Sequence, residues 1–360
     1  MEKNNIENFD INKINNLLDE LILTLKKLAV SHPYFVVIIM HEYFRNIWPN
    51  DPFIDQTLSK NKSENIELCL INLIQISKNI KFIGSYFNNS NDVSKFYENL
   101  EKDNENENNL TQTVYGKLWK NLEDDYISGE SKNVLINLLQ SGGYGVNEFK
   151  DKKILDMGCG SGRFSIAFAQ LNVKEVIGID LGKTGIGVGT KIIEKFKLNN
   201  IKLIEGNVLS LPFKDNEFDF IFSKGVLHHT GNLKKGLDEY FRVLKKGGNG
   251  FLYLYGSGGL FWNSRKKMRE VMKLIPMNYT IQILKSIGMP NKRYVFADSW
   301  YVPIEEHVKR DWLENYFNHL KYSKVKRIDI TGDDTIESMS NQPLSKELWG
   351  DGELRYFLTK

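Results

Sequence analysis

The feature that most constrains the fold is a glycine-rich turn in the stretch ILDMGCGSGRF, residues 154–164. Residues 154–157, before the turn, are a short, mostly apolar run of the length typical of a buried strand. The residues after it, RFSIAFAQL, carry apolar side chains at helical spacing. A strand that enters a helix through such a turn begins an open parallel sheet, in which ligands bind at the carboxyl ends of the strands.

The same rhythm continues through residues 153–255. The predicted strands are KILDM, EVIGID, IKLIEGN, FDFIFSKG and NGFLYLY, and the predicted helices are RFSIAFAQL, VGTKIIEKF and LKKGLDEYFRVL. Two further strands, KVKRIDI and ELRYFLTK, close the chain. This order predicts an α/β fold with a doubly wound, mostly parallel, seven-stranded Rossmann-like sheet.

Residues 1–100 have a different pattern, because their apolar residues recur at helical spacing and never alternate as in strands. We therefore expect an all-helical N-terminal domain over 1–100, with an accessory or dimerisation role. The polar, highly charged residues 101–113 predict a linker. Residues 114–360 then form the second domain, and 256–322 form a helical insertion within it that covers the substrate.

Composition limits the location and the partners of the chain. The net charge is only +3 over 360 residues, and no stretch combines dense basic charge with stacking aromatics, so we expect no nucleic-acid partner. Two cysteines give no disulfide framework and fit a reducing compartment. The apolar run at 34–40 is much shorter than the ~20 residues of a membrane-spanning helix. We expect a cytoplasmic protein without membrane contact.

The glycine spacing discriminates between possible ligands of the turn. A dinucleotide fingerprint starting at Gly158 needs a small residue where the bulky Arg163 stands. A phosphate-binding P-loop ending in GKT at 182–184 needs a glycine where Ile177 stands. Both of these ligand classes are therefore disfavoured.

The pattern that does fit is D-x-G-x-G-x-G, formed by Asp156, Gly158, Gly160 and Gly162. An acidic residue at the strand end repels a pyrophosphate but suits a cofactor with a cationic, amine-bearing tail, such as S-adenosylmethionine. The next strand ends 24 residues later at Asp180, where a carboxylate can accept hydrogen bonds from two ribose hydroxyls.

These motifs resemble those of the class I S-adenosylmethionine-dependent methyltransferases, in the branch of the ubiquinone/menaquinone-type small-molecule enzymes. ILDMGCGSG and VIGIDL are similar to the first two motifs of that family, and EGNVLSLPFKDNEFDFIFSKGVLHHTGN and RVLKKGGNGFLYL to the later ones. The resemblance implies that the last two strands form an antiparallel pair at the sheet edge. It covers residues 153–255 and those strands, and leaves the first hundred residues outside.

The resemblance also implies roles for individual residues in binding S-adenosylmethionine and its product, S-adenosylhomocysteine. The three glycines and Cys159 form the loop against the cofactor, Asp156 holds its amino group, and Asp180 holds its ribose. Asn207 stands where the family usually has an aspartate and would accept from the adenine amine. The remaining predicted contacts are Leu181 against the adenine, Val208 and Leu209 as an apolar wall with backbone groups, and Ser223 facing the methionine moiety.

Candidates for the chemistry lie outside the glycine turn. His228 and His229 follow the fourth strand and titrate in the useful range for acid–base catalysis, although packing is an equally good explanation for either. Arg265 or Arg269 could bind an anionic group of the acceptor, or simply belong to a solvated face. Trp300 and Tyr301, after Asp298, could wall the acceptor pocket, and Tyr115 and Trp119 could lie across the cofactor. We expect no bound metal, since no ligand cluster at metal spacing accompanies the histidines.

The sequence therefore predicts a methyltransferase (EC 2.1.1.-) that transfers a methyl group by in-line displacement to an oxygen, sulfur or nitrogen atom of a small molecule, and that forms a homodimer. An RNA or protein methyltransferase is one alternative, although SKGV stands where enzymes that methylate amino groups carry N/D-P-P-Y/F. A non-catalytic cofactor-binding protein is the other.

Overall fold

The computed structural model describes residues 10–47, 62–86, 129–286, 299–328 and 344–360. The predicted linker at 101–113, and Tyr115, Trp119 and Asp298, lie outside these ranges. No helix within them is long and apolar enough to cross a membrane.

Seven strands form a single sheet. They are β1 (Lys153–Met157), β2 (Glu175–Asp180), β3 (Ile201–Glu205), β4 (Phe218–Lys224), β5 (Leu244–Tyr255), β6 (Lys324–Arg327) and β7 (Glu353–Thr359). The α-helices are α1 (Ile11–Ala29), α2 (Pro33–Ile47), α3 (Lys62–Tyr86), α4 (Ser131–Gly142), α5 (Arg163–Ala169), α6 (Lys183–Lys195), α7 (Leu233–Val243), α8 (Gly259–Met272), α9 (Met277–Ser286), α10 (Arg310–Leu320) and α11 (Ser345–Trp349).

The strand order is β3-β2-β1-β4-β5-β7-β6, which is the doubly wound arrangement that the sequence predicts. Strands β1 to β5 pair in parallel, and β7 pairs antiparallel with both β5 and β6. The winding direction reverses between β1 and β4, so ligands are expected at the carboxyl ends of these two strands. The glycine turn follows β1, and the two histidines follow β4.

Aromatic packing fills one face of the sheet. Phe220 and Phe222 alternate with Ile221 along β4 and therefore point to this face. Their rings contact Phe168 of α5, and the ring of Phe222 stacks on Phe251 of β5, with centroids 5.3 Å apart. The opposite face packs aliphatic residues, among them Ile221 and Leu252, against α7 and α10. With both faces covered, the strands are held rigidly enough to position a site at their ends.

A second group of helices has its own core. The N-cap of α1 is Asp10, whose carboxylate accepts hydrogen bonds from the backbone N–H groups of Asn12 and Lys13. Leucines of α1 at positions 18, 21 and 25 are buried in this core. An ion pair joins α1 to α3 through Glu20 and Lys78 (2.6 Å), and another joins α1 to α8 through Lys26 and Glu270 (2.6 Å).

The chain divides into two compact units that differ from the predicted domain bounds. One combines the described residues of 1–106 with 258–301 and 341–350, and the other contains the sheet. The sequence assigns 256–322 to the sheet domain as a substrate cover, whereas α8 and α9 of that segment group with the N-terminal helices. The reason is that α8 buries Trp262 and Met268, as well as the polar Arg265 and Arg269, within the helical core.

Candidate functional site

The glycine turn is shaped by close packing around it. Gly158 has φ +86°, and a Cβ placed there would lie 2.2 Å from a methyl group of Val226. Gly162 has φ +75°, and its Cβ would lie 2.7 Å from Leu203. L-residues with side chains rarely adopt this left-handed conformation, and both positions also lack room for a methyl group. The turn therefore requires glycine at these positions, as the motif predicts.

The packing of α6 accounts for a glycine within that helix, Gly189. A Cβ at Gly189 would lie 2.3 Å from the carbonyl oxygen of Ser161, so α6 packs directly on the backbone of the turn. The sequence indicates only a flexible, glycine-rich start for this helix. The structure shows that Gly189 lies against the backbone of the turn, a packing reason that spacing alone cannot reveal.

Asp156, at the end of β1, is buried, and its carboxylate accepts a hydrogen bond from the hydroxyl of Ser165 (2.6 Å). Burial, reinforced by the neighbouring charge of Asp180, raises the pKa of Asp156 to about 7, although Ser165 works against this shift. A buried carboxyl group with such a pKa is destabilised in its charged form. A cationic ligand beside it would restore the charged form and be held by it.

Asp180, at the end of β2, organises the backbone of the site. One carboxylate oxygen accepts from the N–H of Gly160 (2.9 Å), and the other accepts from the N–H of Gly182 (2.7 Å). Burial raises the pKa of Asp180, and its backbone hydrogen bonds oppose that rise. Each oxygen keeps a further lone pair, so the carboxylate can also accept from two hydroxyl donors. Asp180 and the glycine turn are therefore a single hydrogen-bonded structure.

The predicted adenine contacts follow β2 and β3. Leu181 is exposed, Val208 is buried, and Leu209 is half-buried. The side-chain oxygen of Asn207 accepts from the N–H of Leu209 (2.8 Å), which leaves one lone pair for a ligand amine. The role of these four residues in adenine binding stays a prediction.

Two buried hydroxyl groups test whether this site fits a polar cofactor. Ser161 lies in the glycine turn and Ser223 at the end of β4, and both are fully buried. Neither Oγ atom has a hydrogen-bond partner among the described residues. Each unsatisfied hydroxyl costs about 1–3 kcal/mol, so a ligand that supplies the missing partner is favoured. With two acids and no phosphate-binding cation motif, the donor set fits S-adenosylmethionine better than a nucleotide phosphate.

Cys159 is buried in the turn, and burial raises the pKa of its thiol well above the ordinary value. A thiol that resists ionisation is a poor nucleophile. Cys159 is therefore a poor candidate for a catalytic nucleophile, and its contact with the cofactor stays a prediction.

The two histidines form a 3-10 turn at Leu227–His229 and differ sharply in environment. His228 is fully buried, and its ring stacks on Tyr255 with a centroid distance of 3.8 Å. Its Nδ1 accepts from the backbone N–H of Tyr255 (3.2 Å), so the proton of the neutral ring is on Nε2. His229 is half-buried, and its Nδ1 donates to the carbonyl oxygen of Ile304 (2.7 Å). In a neutral His229 ring, Nε2 therefore carries the lone pair.

A short segment after the helical insertion, residues 304–308, holds this turn in place. Besides the Ile304 carbonyl, the N–H of Glu306 donates to the carbonyl of His228 (2.8 Å), and the N–H of Val308 donates to that of Tyr255 (3.0 Å). His307 contacts the Gly256 carbonyl through Nδ1 (3.1 Å) and the Glu305 carboxylate through Nε2 (2.8 Å). Both nitrogens of His307 are thus engaged, which suits a structural role better than a catalytic one.

The same segment borders a cavity of about 460 Å³ beside the start of α7. Its lining consists of Gly231, Asn232, Leu233, Lys234, Glu306, His307, Val308, Lys309 and Trp312. Cavities that bind small molecules commonly span ~300–1,000 Å³.

Sequence reasoning missed several residues at this edge of the sheet. The ammonium of Lys224 lies 5.4 Å from the ring centre of Phe164 and 6.0 Å from that of Tyr253. The hydroxyl of Tyr253 donates to Glu353 (2.5 Å), which in turn pairs with the buried Arg355. Lys224 was discoverable from its place at the end of the strand FDFIFSK, and Ser165 from its place in the helix after the loop. The hydrogen bond from Tyr253 to Glu353 could not be predicted, because Glu353 belongs to β7, about a hundred residues further along the chain.

The predicted acceptor-binding residues lie in the helical unit. Arg265 is buried with its guanidinium 5.7 Å from the ring centre of Trp262. Arg269 is also buried and donates to the carbonyl of Ser299 (2.9 Å), so neither arginine belongs to a solvated face. Trp300 is fully buried, and the hydroxyl of Tyr301 donates to the carbonyl of Ile275 (2.9 Å). These contacts account for the side chains as packing, and acceptor binding by Arg265, Trp300 and Tyr301 stays a prediction.

Comparisons with known proteins identify similar sequences and folds. Residues 148–311 match the family model described as a methyltransferase domain. A demethylmenaquinone methyltransferase of Geobacillus sp. (strain WCH70) is 37% identical over 105 residues, which cover 29% of this chain and 45% of that protein. One from Staphylococcus aureus (strain MRSA252) is 30% identical over 162 residues, which cover 44% of this chain and 58% of the relative. The chain thus spans about half the length of these curated relatives.

Among solved structures, a SAM-dependent methyltransferase from Aquifex aeolicus superimposes with a TM-score of 0.39 at 13% identity, over 68% of this chain and 96% of the other. The family match covers strands β1 to β5, the glycine turn, both acids and the histidine turn described above. Residues 148–311 thus match a methyltransferase domain, and this stretch contains the cofactor turn and both acids.

Proposed function

We propose that this chain is an S-adenosylmethionine-dependent methyltransferase whose acceptor is a small molecule. The observation that carries the proposal is the pair of acids at adjacent strand ends, with Asp156 buried and Asp180 bonded to the glycine turn. This arrangement places two carboxyl groups where the cofactor's ammonium and ribose would lie. It would repel the phosphates that other glycine turns bind.

The bound cofactor would supply an electrophilic methyl group on a sulfonium. The protein then has two tasks, to hold the acceptor in line with that methyl group and to remove a proton where the acceptor carries one. Asp156, Asp180, the glycine turn and the hydroxyl of Ser223 would hold the cofactor. Asn207, Leu181, Val208 and Leu209 would surround its adenine.

The tautomers of the histidines favour His229 as the general base. Its Nδ1–H is fixed by the carbonyl of Ile304, which places the lone pair of the neutral ring on Nε2, and it is the less buried of the two. His228 cannot take a proton on Nδ1 without losing the hydrogen bond from Tyr255. We therefore propose that His229 accepts the proton and that His228 positions the turn.

The acceptor we propose is an aromatic small molecule with an ionisable hydroxyl group. The names of the relatives support this class, since demethylmenaquinone is a quinone-type substrate. Aromatic rings of Phe164 and Tyr253 flank the Lys224 ammonium at the strand ends, which suits an aromatic anion. The cavity beside the histidine turn has the size of a small-molecule site. Arg265, Trp300 and Tyr301 remain proposed contacts of the acceptor.

The remaining parts of the proposal concern the whole protein. We propose that the helical unit serves as an accessory domain and pairs two copies of the chain, and that the enzyme works in the cytoplasm without a nucleic-acid partner. The low net charge supports the last point.

The test is a labelling experiment. The full chain is incubated with methyl-labelled S-adenosylmethionine and a cell extract that has been separated into small-molecule, RNA and protein fractions. Label in the small-molecule fraction supports the proposal, and the mass of the product identifies the acceptor. The Asp180→Ala variant serves as the control, and it should transfer less label than the wild type when S-adenosylmethionine is limiting.

Two other results would contradict the proposal at different points. Label in RNA or protein would contradict the acceptor class while leaving the cofactor site intact. Absence of transfer to every fraction, with S-adenosylhomocysteine still bound in calorimetry, would contradict the enzymatic activity and favour a cofactor-binding protein.

A further inference from the structure

The turn between α1 and α2 presents apolar side chains to solvent. Val30, which follows α1, is 71% exposed, and Tyr34 and Phe35 in the first turn of α2 are 40% and 43% exposed. The rings of Tyr34 and Phe35 meet edge to face with centroids 5.7 Å apart, and the ring of His32 lies 6.5 Å from that of Phe35. Scattered single apolar residues are normal on a surface, but this is a cluster at the tip of a helical hairpin.

The hairpin beneath this tip is well packed. Leu28 and Ala29 before the turn, and Val36 and Val37 after it, are buried in the helical core. The backbone at the tip is therefore fixed, because exposure of the flanking buried side chains would cost free energy. This keeps the apolar side chains of the tip pointing to solvent.

Basic residues precede the tip along α1. Lys26 and Lys27 occupy the last turn of α1, and Lys27 is exposed. Lys266 and Lys273 lie close enough to Glu270 to lower the pKa of that carboxyl group, although its hydrogen bond with Lys26 has the larger effect. The end of α1 therefore brings two ammonium groups next to the apolar, aromatic tip, and two further lysines lie near Glu270, the partner of Lys26.

We propose that this tip is a peripheral docking surface for an anionic lipid bilayer. Aromatic side chains favour the membrane interface, where an apolar ring meets water, and lysines favour anionic headgroups. A second copy of the chain fits the tip less well, because a symmetric contact at this point would bring the lysines of both copies together. The contact needs no spanning helix. It also differs from the sequence-based expectation of no membrane contact.

This inference is independent of the proposed function, since the tip belongs to the helical unit and the cofactor residues to the sheet unit. The experiment is sedimentation of the full chain with vesicles of phosphatidylcholine, either alone or mixed with phosphatidylglycerol. We expect binding to the mixed vesicles that weakens as salt is added.

Two double variants separate the tip from general surface hydrophobicity. Tyr34→Ser with Phe35→Ser should lower the partition to mixed vesicles by about tenfold or more, because both rings lose apolar area that the interface would bury. Leu68→Ser with Ile71→Ser is the matched control, since these α3 residues are 56% and 43% exposed, and it should leave the partition unchanged. Lys27→Gln should lower it about fivefold.

Circular dichroism and S-adenosylhomocysteine binding should be the same for all variants, which separates this test from the failure of the cofactor site. Equal losses in the two double variants, or no binding to mixed vesicles by the wild-type chain, would overturn the proposal. Conversion of a dimer into a monomer by the Tyr34/Phe35 variant in light scattering would also overturn it, because the tip would then be an interface between copies.

Discussion

Asp156→Asn tests the electrostatic account of the site directly. The wild-type carboxyl group is buried and has a pKa of about 7 in the folded protein, against 3.8 ordinarily. The folded state therefore keeps a proton that the unfolded chain releases between these values. As the pH rises through this window, the unfolded state is increasingly favoured, and above about pH 7 the penalty levels off. An asparagine has the same shape without the charge, so it should avoid this penalty.

The size of the effect follows from the shift. About three pKa units at ~1.4 kcal/mol each give at most ~4 kcal/mol at high pH. Between about pH 5 and pH 8, the free energy of unfolding of the wild type should fall by up to ~3 kcal/mol relative to the variant. The side-chain oxygen of the asparagine can still accept the hydrogen bond from Ser165 (2.6 Å in the wild type). No loss of this bond therefore offsets the expected gain in stability.

The assay is urea unfolding of both proteins across this pH range, with S-adenosylhomocysteine binding measured by calorimetry. We expect the variant to gain stability relative to wild type as the pH rises, and to lose cofactor affinity. Asp219→Asn is the control, because the hydrogen bonds from Lys245 and from the backbone N–H of Lys153 lower the pKa of Asp219 in spite of its partial burial. Because the pKa of Asp219 is lowered in the folded protein, its ionised carboxylate stabilises the fold at pH values above its ordinary pKa. Asp219→Asn should therefore destabilise the protein at pH 8. A stability difference for Asp156→Asn that does not change with pH would refute the reasoning.

Other predictions concern the same site. Wild-type affinity for S-adenosylmethionine should increase as the pH rises through about 7, measured by calorimetry, because the cationic tail requires the ionised Asp156; a flat profile would argue against their contact. Asp180→Ala should weaken S-adenosylhomocysteine binding by about 1–3 kcal/mol, and unchanged affinity would remove Asp180 from the site. Gly158→Ala should cost about 1–3 kcal/mol of stability in urea unfolding, since φ is +86° and Val226 fills the space, and a neutral result would contradict that geometry. His229→Ala should lower kcat far more than KM for a hydroxyl acceptor and remove the fall in kcat on the acid side of the pH profile, whereas an unaltered kcat would assign the histidine to packing.

The sheet and the cofactor turn were predictable because their signals are local. A strand that ends in Asp156 and enters spaced glycines, and a second strand that ends in Asp180, are visible in short windows. The start of α2 at Pro33 was predictable for the same reason, since proline suits the first turn of a helix. Apolar residues that recur every 2 residues indicate a strand, and those that recur every 3.6 residues indicate a helix. Both patterns lie in a short stretch of sequence, so the elements can be predicted before the fold is known.

The packing of the insertion was not predictable in this way. Arg265, Arg269 and Trp300 are consistent with a solvated or pocket-lining helix, and only the helical core decides that they are buried. The N-terminal helices need an apolar partner for α1, and α8 supplies it from more than two hundred residues away. The spacing of apolar residues in α8 can predict an apolar face, but it cannot identify the helix that packs against that face.

For the site, the identities of the residues follow from the sequence, whereas their partners and burial follow from the tertiary structure. The sequence by itself determined the α/β order of the chain, the glycine turn with its two acids, and the presence of paired histidines at a strand end. Only the tertiary structure decided that Ser165 bonds Asp156, that Asp180 is tied into the turn, and that the two histidines hold opposite tautomers. Those properties depend on a hydroxyl, three backbone N–H groups and a carbonyl from several elements of the fold, because hydrogen-bond partners and burial are set by the fold and not by the local sequence pattern.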